Sequence, residues 1–492
     1  MELAVGSSQL AGESASPSPL PTADRQLPTR IAYCSPLPPA RTGVAHYSAM
    51  LLPALKQRLD VEVYDAPPAQ DSRLRTQDCI YQLGNNPHHE WIYREAMEHP
   101  GVIVLHDLVL HHLIVEATLA RGDADAYVAA LEASHGPAGA AWARGRAAGL
   151  HSEMGNFLLP ASIEVANRSR VVIVHNHYAR ERLQSFGVET PIHVVPHPYV
   201  HETRSFDRDA LRARYGITPQ HRVIGFFGFL TSAKRAEVVL EAFRLARQRD
   251  PRVVLLIVGQ PAPNMEVVEG DGVIATGYVD DDEFPAFYAA ADRLVNLRYP
   301  SAGETSGTLI RALDAGKPVA VSDYAQFAEL PDEIVVKIPF GEREVETLAD
   351  FFVRDIDDPS RAQREWLEKN ARIELTVDGY LHAITAPSPR QAGRGQGEGL
   401  PLFPQLQLIE ATTQTITLKN IGTTTIRTRT YGHPEYRLIA NGQWLALPRD
   451  LGPGESATID VRLSVGPLRL HHAIQDVPML DPEPFACSTI TR

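Results

Sequence analysis

The chain has 492 residues, 44% hydrophobic and 22% charged, with 47 basic against 60 acidic side chains and a formal charge of -13. At roughly 150 residues per domain it is long enough for about three folded units. Its acidity makes nucleic acid and anionic membrane surfaces poor partners of the whole chain, and leaves room for a local basic pocket that takes a small anion.

Residues 1–28, rich in Ser, Pro, Ala and Gly without a periodic apolar face, read as a disordered tail with no signal-peptide pattern. A first α/β domain is expected over 29–204. Arg30–Cys34 reads as a strand, and after it Val44, Tyr47, Leu51, Leu52, Leu55 and Leu59 recur near the helical period. Further strands are expected at Val61–Tyr64, Cys79–Leu83, Val102–Leu105 and Val171–Val174, with an Ala-rich helical insertion between His106 and Ser152. The pattern restarts in a second domain over 205–360. Its strands are expected at Val223–Gly228, Val253–Gly259, Leu294–Leu297 and Val319–Ser322. Its helices are expected at Ala236–Arg247, at Phe284–Ala291 behind a cap at Asp280–Asp282, and at Thr308–Ala315, stopped by Gly316. Such alternation predicts an α/β fold with two doubly wound, Rossmann-like parallel sheets.

Residues 361–385 read as a helix packing back on the first domain, and 386–402, rich in Gly and Pro, as a linker. Residues 403–492 read as a small all-β sandwich, from period-two runs at Thr415–Leu418 and Thr458–Leu463 and turn signals at Asn441-Gly442 and Gly452-Pro453-Gly454. Its aromatics Tyr431, Tyr436 and Trp444 fit a core as well as a carbohydrate-binding face. Apolar runs such as Val253–Val258 fall far short of the ~20 residues of a membrane-spanning helix. The scattered Cys34, Cys79 and Cys487 read as reduced thiols. The expectation is a cytoplasmic protein, with peripheral membrane contact left open.

Open parallel sheets bind ligands at the carboxyl ends of their strands, and four loops there carry chemistry. Thr42-Gly43 opens a long helix, where free amides favour an anion; an ordinary turn glycine reads the same. His106-Asp107 follows a strand and fits a sugar hydroxyl or a structural histidine; His111 and His112 nearby lack the carboxylate or thiolate spacing of a metal site. Lys234-Arg235 precedes a helix whose positive end repels cations, which suits a pair facing a diphosphate or a solvated pair. Ser301–Thr308, with Glu304, Thr305, Ser306, Gly307 and Thr308, fits a phosphate cradle or a plain helix cap. Asn85 and Asn86 suit an acceptor contact or a turn. The glycine-rich phosphate loops of ATPases and dinucleotide enzymes are absent.

The order and spacing of "GFFGFLTSAKR" and "GYVDDDEFPAFYAAADRLVNLRYPSAGETSGTLIRALDAGKPVAVSD" resemble the family 4 glycosyltransferases of the GT-B fold, over about residues 30–385. The resemblance implies sugar transfer from a nucleotide-diphosphate sugar to a glycan or lipid-linked acceptor, with retention and without a metal or other cofactor. By position, Gly43 corresponds to the loop glycine near the diphosphate and His106 to the histidine on the donor sugar. Lys234 corresponds to the lysine on the diphosphate, and Glu304 to the first of the family's two glutamates. The amides around Thr305–Thr308 would take the distal phosphate or the sugar's far edge. Two departures stand out. Phe229 occupies a position where the family often has Arg, which leaves Arg235 as the substitute cation. Counting from Glu304 or from Gly316 puts Ala312 or Arg311 where the second glutamate belongs. The competing readings are a nucleotide-sugar epimerase and a degenerate sugar-binding scaffold of polysaccharide assembly.

Overall fold

The computed structural model describes residues 30–68, 78–150, 152–228, 230–260, 270–280, 282–341, 343–386, 406–412, 414–420, 436–440, 443–446, 455–463, 466–474, 477–478 and 486–490. Within them lie two parallel six-stranded sheets, followed by two antiparallel ones.

The first sheet holds β1 (Ile31–Cys34), β2 (Val61–Tyr64), β3 (Asp78–Leu83), β4 (Val102–Leu105), β5 (Val171–Val174) and β6 (Ile192–Val194), in the order β2-β1-β3-β4-β5-β6. Side chains alternate between two buried faces. Ile31, Tyr33, Val102, Val104 and Ile173 pack under α1 (Gly43–Lys56), while Ala32, Cys34, Tyr81, Ile103 and Val172 pack on the other side. That other side is covered by α2 (Glu90–Glu98), α6 (Ile163–Arg168) and α7 (His177–Ser185). Burial of both faces is why these strands read as unbroken apolar runs. Between β4 and α6 lie α3 (His111–Ala117), α4 (Ala124–Ala147) and α5 (Glu153–Leu158), packed around Tyr127, Leu131 and Trp142.

The second sheet holds β7 (Arg222–Phe227), β8 (Val253–Val258), β9 (Val273–Ala275), β10 (Arg293–Asn296), β11 (Val319–Ser322) and β12 (Val336–Ile338), in the order β12-β11-β10-β7-β8-β9. Its helices are α8 (Arg208–Arg214), α9 (Ala236–Arg249), α10 (Phe284–Ala290), α11 (Gly307–Asp314) and α12 (Glu344–Val353). The chain runs outward one way from β7 and the other way from β10. The crevice between those two strands is therefore the switch point where such sheets bind ligands. The first sheet switches between β1 and β3.

Residues beyond the second sheet form two helices, not one: α13 (Ser360–Asn370), whose Leu367 joins the second core, and α14 (Ile373–Thr385). Val377, Tyr380, Ala383 and Ile384 of α14 pack into the first sheet's core beside Leu51 and Leu55. The expected cap at Asp280–Asp282 is also corrected. The residue before α10 is Glu283, with no side-chain cap bond, and Pro285 in the first turn starts the helix by fixing its backbone angle.

The C-terminal strands are β13 (Leu406–Ala411), β14 (Thr415–Asn420), β15 (Tyr436–Ala440), β16 (Gln443–Ala446), β17 (Ser456–Asp460), β18 (Gly466–Ile474), β19 (Val477–Pro478) and β20 (Ala486–Ile490). One sheet is β13-β14-β17; the other is β16-β15-β18-β19, with β20 on β18. Ile416, Leu418 and Ile459 of the first share a core with Leu445, Leu468 and Leu470 of the second, which makes a sandwich. The turns at Asn441-Gly442 and Gly452–Gly454, the tail 1–28, residues 387–402 of the expected linker and Phe229 lie outside the described residues. So do Tyr431 and the side chains of Tyr436, Trp444 and Cys487. Among the described residues no helix is long and apolar enough to cross a membrane.

Candidate active site in the interlobe cleft

On the second lobe, Gly228 (φ +86) directly follows β7 and Gly259 (φ +137) directly follows β8, with backbone angles that glycine alone adopts freely. A side chain on Gly259 would strike the Gly228 backbone, so the pair lets two strand ends close together. Lys234 turns back beneath them, and its Nζ donates to the Phe227 carbonyl at 2.9 Å. A Cβ on Gly228 would press on that ammonium and lie 3.7 Å from Thr308 Cγ2. Lys234 and the first turn of α11 therefore border one space. Burial, then the neighbouring Arg298 cation, hold the Lys234 pKa well below the usual lysine range, with Glu304 opposing.

Ser306 is the N-cap of α11: its Oγ accepts from Leu309 N at 3.3 Å and from Asn296 Nδ2 at 2.9 Å. Its hydroxyl is thus used by the helix. The amides of Gly307 and Thr308 belong to the first turn, which has no intrahelical carbonyl to meet, and a Cβ on Gly307 would meet nothing within 4 Å. Thr305 Oγ1 accepts from Asn176 Nδ2 of the first lobe at 3.2 Å. Glu304 Oε1 accepts from Arg298 Nε at 2.8 Å, and Oε2 from Ser301 Oγ at 3.2 Å. Arg298 is only 11% exposed and follows β10 at the switch point. The sequence reading passed over it, although an arginine directly after a buried strand was its visible signal.

The expectation that Arg235 shares a diphosphate with Lys234 is corrected. Arg235 has φ +59 and turns away into a bidentate pair with Glu344, Nε to Oε1 at 3.0 Å and NH2 to Oε2. Its guanidinium lies 5.1 Å from the Phe340 ring and 5.8 Å from Tyr299. Glu344 is 3% exposed, and a carboxylate so buried requires its cation.

On the first lobe, Thr42 caps α1 through Oγ1, which accepts from Ala45 N at 3.0 Å; a Cβ on Gly43 would point into open space. His106 Nε2 meets Gln82 Oε1 at 2.7 Å, and burial, then His175, press its pKa far down. Asp107, which the sequence offered only as the neighbour of His106, accepts from Asn85 N at 2.8 Å. Burial and the charge of Glu304 raise its pKa to about 7, against the Asn85 bond and Arg298. Asn86 caps a 3₁₀ turn, which favours the turn reading there. His111 is a core residue, bonded to the Leu159 carbonyl and Tyr127 at 2.6 Å each.

The lobes are closed on each other. Val109 N donates to Ala302 O at 3.1 Å and Asn176 Nδ2 to Gly303 O at 2.9 Å. Gly303 (φ +76) faces Leu108 so closely that an added Cβ would stand 2.6 Å from it. The Glu329 carboxylate accepts the His177 and Tyr178 amides at the start of α7. Arg311, one of the two positions for the missing glutamate, reaches His46 Nε2 of α1 at 2.7 Å and lies 5.3 Å from the Phe284 ring.

Residues 221–358 match the family model described as Glycosyl transferases group 1. The chain is 30% identical over 175 residues to the 2-deoxystreptamine glucosyltransferase of Streptomyces kanamyceticus, covering 32% of this chain and 44% of that protein. It is 28% identical over 164 residues to the mannosylfructose-phosphate synthase of Agrobacterium fabrum, covering 28% and 34%. The chain thus spans less than half the length of these curated relatives. Among solved structures it is similar to the sucrose-phosphate synthase of Thermosynechococcus elongatus, with a TM-score of 0.48 and 16% identity over 72% of this chain and 97% of that one. It is also similar to Anabaena HepE in complex with UDP and glucose, with a TM-score of 0.43 and 15% identity over 71% and 98%.

Proposed function

Residues 221–358 place this chain among the group 1 glycosyl transferases, and from that premise we propose that it moves a sugar from a nucleotide-diphosphate donor to a glycan or lipid-linked acceptor. The observation that carries the reading is the shared space between the Lys234 ammonium and the first turn of α11, at the switch point of the second sheet. Departure of a nucleoside diphosphate concentrates negative charge on its phosphate oxygens. Lys234, Arg298 and the amides of Gly307 and Thr308 are preorganised donors for that charge, in a cleft whose two lobes are bonded to each other at Val109–Ala302 and Asn176–Gly303. Glu304, held by Arg298 and Ser301, accepts hydrogen bonds from the donor sugar, and His106 bounds it from the first lobe.

Retention follows from attack on the face the diphosphate leaves, the acceptor proton passing to a phosphate oxygen. No protein nucleophile or metal enters this scheme. Arg311 is the feature that favours a sugar-binding scaffold instead, because a guanidinium cannot accept from ribose hydroxyls as a carboxylate does. A donor screen decides between them. The purified chain is incubated with UDP- and GDP-sugars, with and without acceptor, and released nucleoside diphosphate is measured. Turnover supports the transferase; nucleotide binding without turnover supports the scaffold. A labelled donor recovered as its epimer would refute both.

A further inference from the structure

At the amino ends of the second sheet's strands, on the far side from the cleft, lies an open cavity of about 350 Å³. Its wall is basic, although the chain as a whole carries -13. Arg222 at the start of β7, Arg252 just before β8 and Arg293 at the start of β10 line it, with His221, Asp292 and Ile356. A parallel strand advances about 3.3 Å per residue, so the five steps from Arg222 to Phe227, whose carbonyl holds Lys234, put roughly 16 Å between this cavity and the Lys234 site.

Some of these charges are matched and two are not. Asp292 is held by Arg208 at 2.5 Å and Arg212 at 2.8 Å, and accepts from Val223 N at 2.7 Å. Arg252 bonds Asp250 twice, at 2.9 and 2.8 Å. Arg293 is 7% exposed, yet its hydrogen bonds go to the neutral carbonyls of Phe351 and Arg354, and among the described residues no carboxylate pairs with it. Arg222 bonds the carbonyls of Phe352 and Val353; the carboxylates of Asp355 and Asp250 stand 3.7 and 4.0 Å off, too far for a hydrogen bond. Those four carbonyls close the end of α12. A helix's carboxyl end offers about half a negative charge, which is too little for two guanidinium ions. Capping α12 explains where the two arginines point and leaves most of their charge unmatched. Burial, then the Arg222 charge, push the Arg293 pKa down to about 10 against the pull of Asp355 and Asp292.

We propose that this cavity is a second anion site, separate from the cleft, which binds a phosphate dianion either free or as the monoester of a small metabolite. Two guanidinium ions of unmatched charge suit a group that carries close to two negative charges at neutral pH. Their planar forks fit phosphate oxygens in pairs. His221 adds a neutral donor, because its Nδ1 accepts from Thr218 N at 3.0 Å and the ring hydrogen is left on Nε2. The cavity volume stands at the low end for ligand pockets, which suits a molecule of sugar-phosphate size, and Ile356 gives its carbon skeleton an apolar wall. None of these residues belongs to the cleft, so the inference stands whether or not the chain transfers a sugar.

Calorimetry on the full chain, at pH 8 in a Tris–chloride buffer of low ionic strength, tests this with inorganic phosphate, glycerol 3-phosphate and glucose 6-phosphate as probes. Saturable binding of one equivalent is expected. It should weaken by about tenfold or more in Arg222→Gln and in Arg252→Glu, the loss of one charged hydrogen-bonding partner or its reversal, and persist in Lys234→Met. Arg252 is 63% exposed, so Arg252→Glu keeps the test decisive where a thermal melt shows Arg222→Gln to be unfolded. Tighter binding of an ester than of inorganic phosphate identifies a phosphorylated metabolite as the occupant; equal binding identifies the free ion. No saturable binding of any probe, undiminished binding in the folded Arg222→Gln and Arg252→Glu chains, or binding abolished by Lys234→Met would each overturn the site.

Discussion

Lys234 and Arg235 are adjacent in sequence and alike in charge, yet their substitution to Met should give opposite phenotypes. Lys234→Met removes a donor preorganised toward the leaving diphosphate, which typically costs ~100- to 1,000-fold in rate. Its effect on stability should be small. The bond to the Phe227 carbonyl is worth about 1 kcal/mol, and removing a buried cation relieves a desolvation cost of opposite sign. Arg235→Met strands Glu344, which is 3% exposed. Breaking a buried ion pair in this way costs about 3–5 kcal/mol. Arg235 is itself 25% exposed, which argues for the lower end. At roughly 2–4 °C per kcal/mol for a domain of this size, the second lobe should melt about 6–12 °C lower. Released nucleoside diphosphate and a thermal melt, read on the same preparations, separate the two effects. Near-normal turnover in Lys234→Met, or lost turnover with an unchanged melt in Arg235→Met, would refute the assignment of these two cations.

Burial and Arg298 lower the pKa of Lys234, and the negative charge of a bound diphosphate should raise it again. Calorimetry with UDP in two non-phosphate buffers of different ionisation heat should therefore give enthalpies that diverge as pH rises through the alkaline range, and Lys234→Met should remove the divergence. Buffer-independent heats would sink the idea. Asp107, raised to about 7 from an ordinary value near 4, keeps its proton in the folded state while the unfolded chain has released it. It therefore costs stability progressively as pH rises from about 4 to 7. Asp107→Asn should melt higher than wild type at pH 8, with the two curves converging below pH 4; a constant offset would show that the charge is unimportant. Glu329→Gln weakens the acceptor for the α7 amides across the cleft, so X-ray scattering should report a larger radius of gyration than for wild type. An unchanged radius would mean that the other cross-lobe bonds suffice.

What the sequence disclosed and what it withheld divide along the range of the interactions concerned. Parallel strands such as Val253–Val258 were readable because burial on both faces demands an unbroken apolar run, and that demand is local. The three-residue strands β6, β9 and β12 are too short to show a period, and their pairing depends on a sheet already formed. Lys234 was found because its position after a strand and before a helix is itself the signal. Arg235 has the same local context, but Glu344, 109 residues further along, takes its charge. Arg298 was passed over, and Asp107 was named beside His106 without a role of its own, for the same reason in reverse. Neither carries a motif, and each acquires meaning only when the loop 301–304 folds against 107–109, bringing Glu304 between them. The sealing of His175 Nε2 lies furthest from sequence reasoning, because it depends on every atom that packs around the ring.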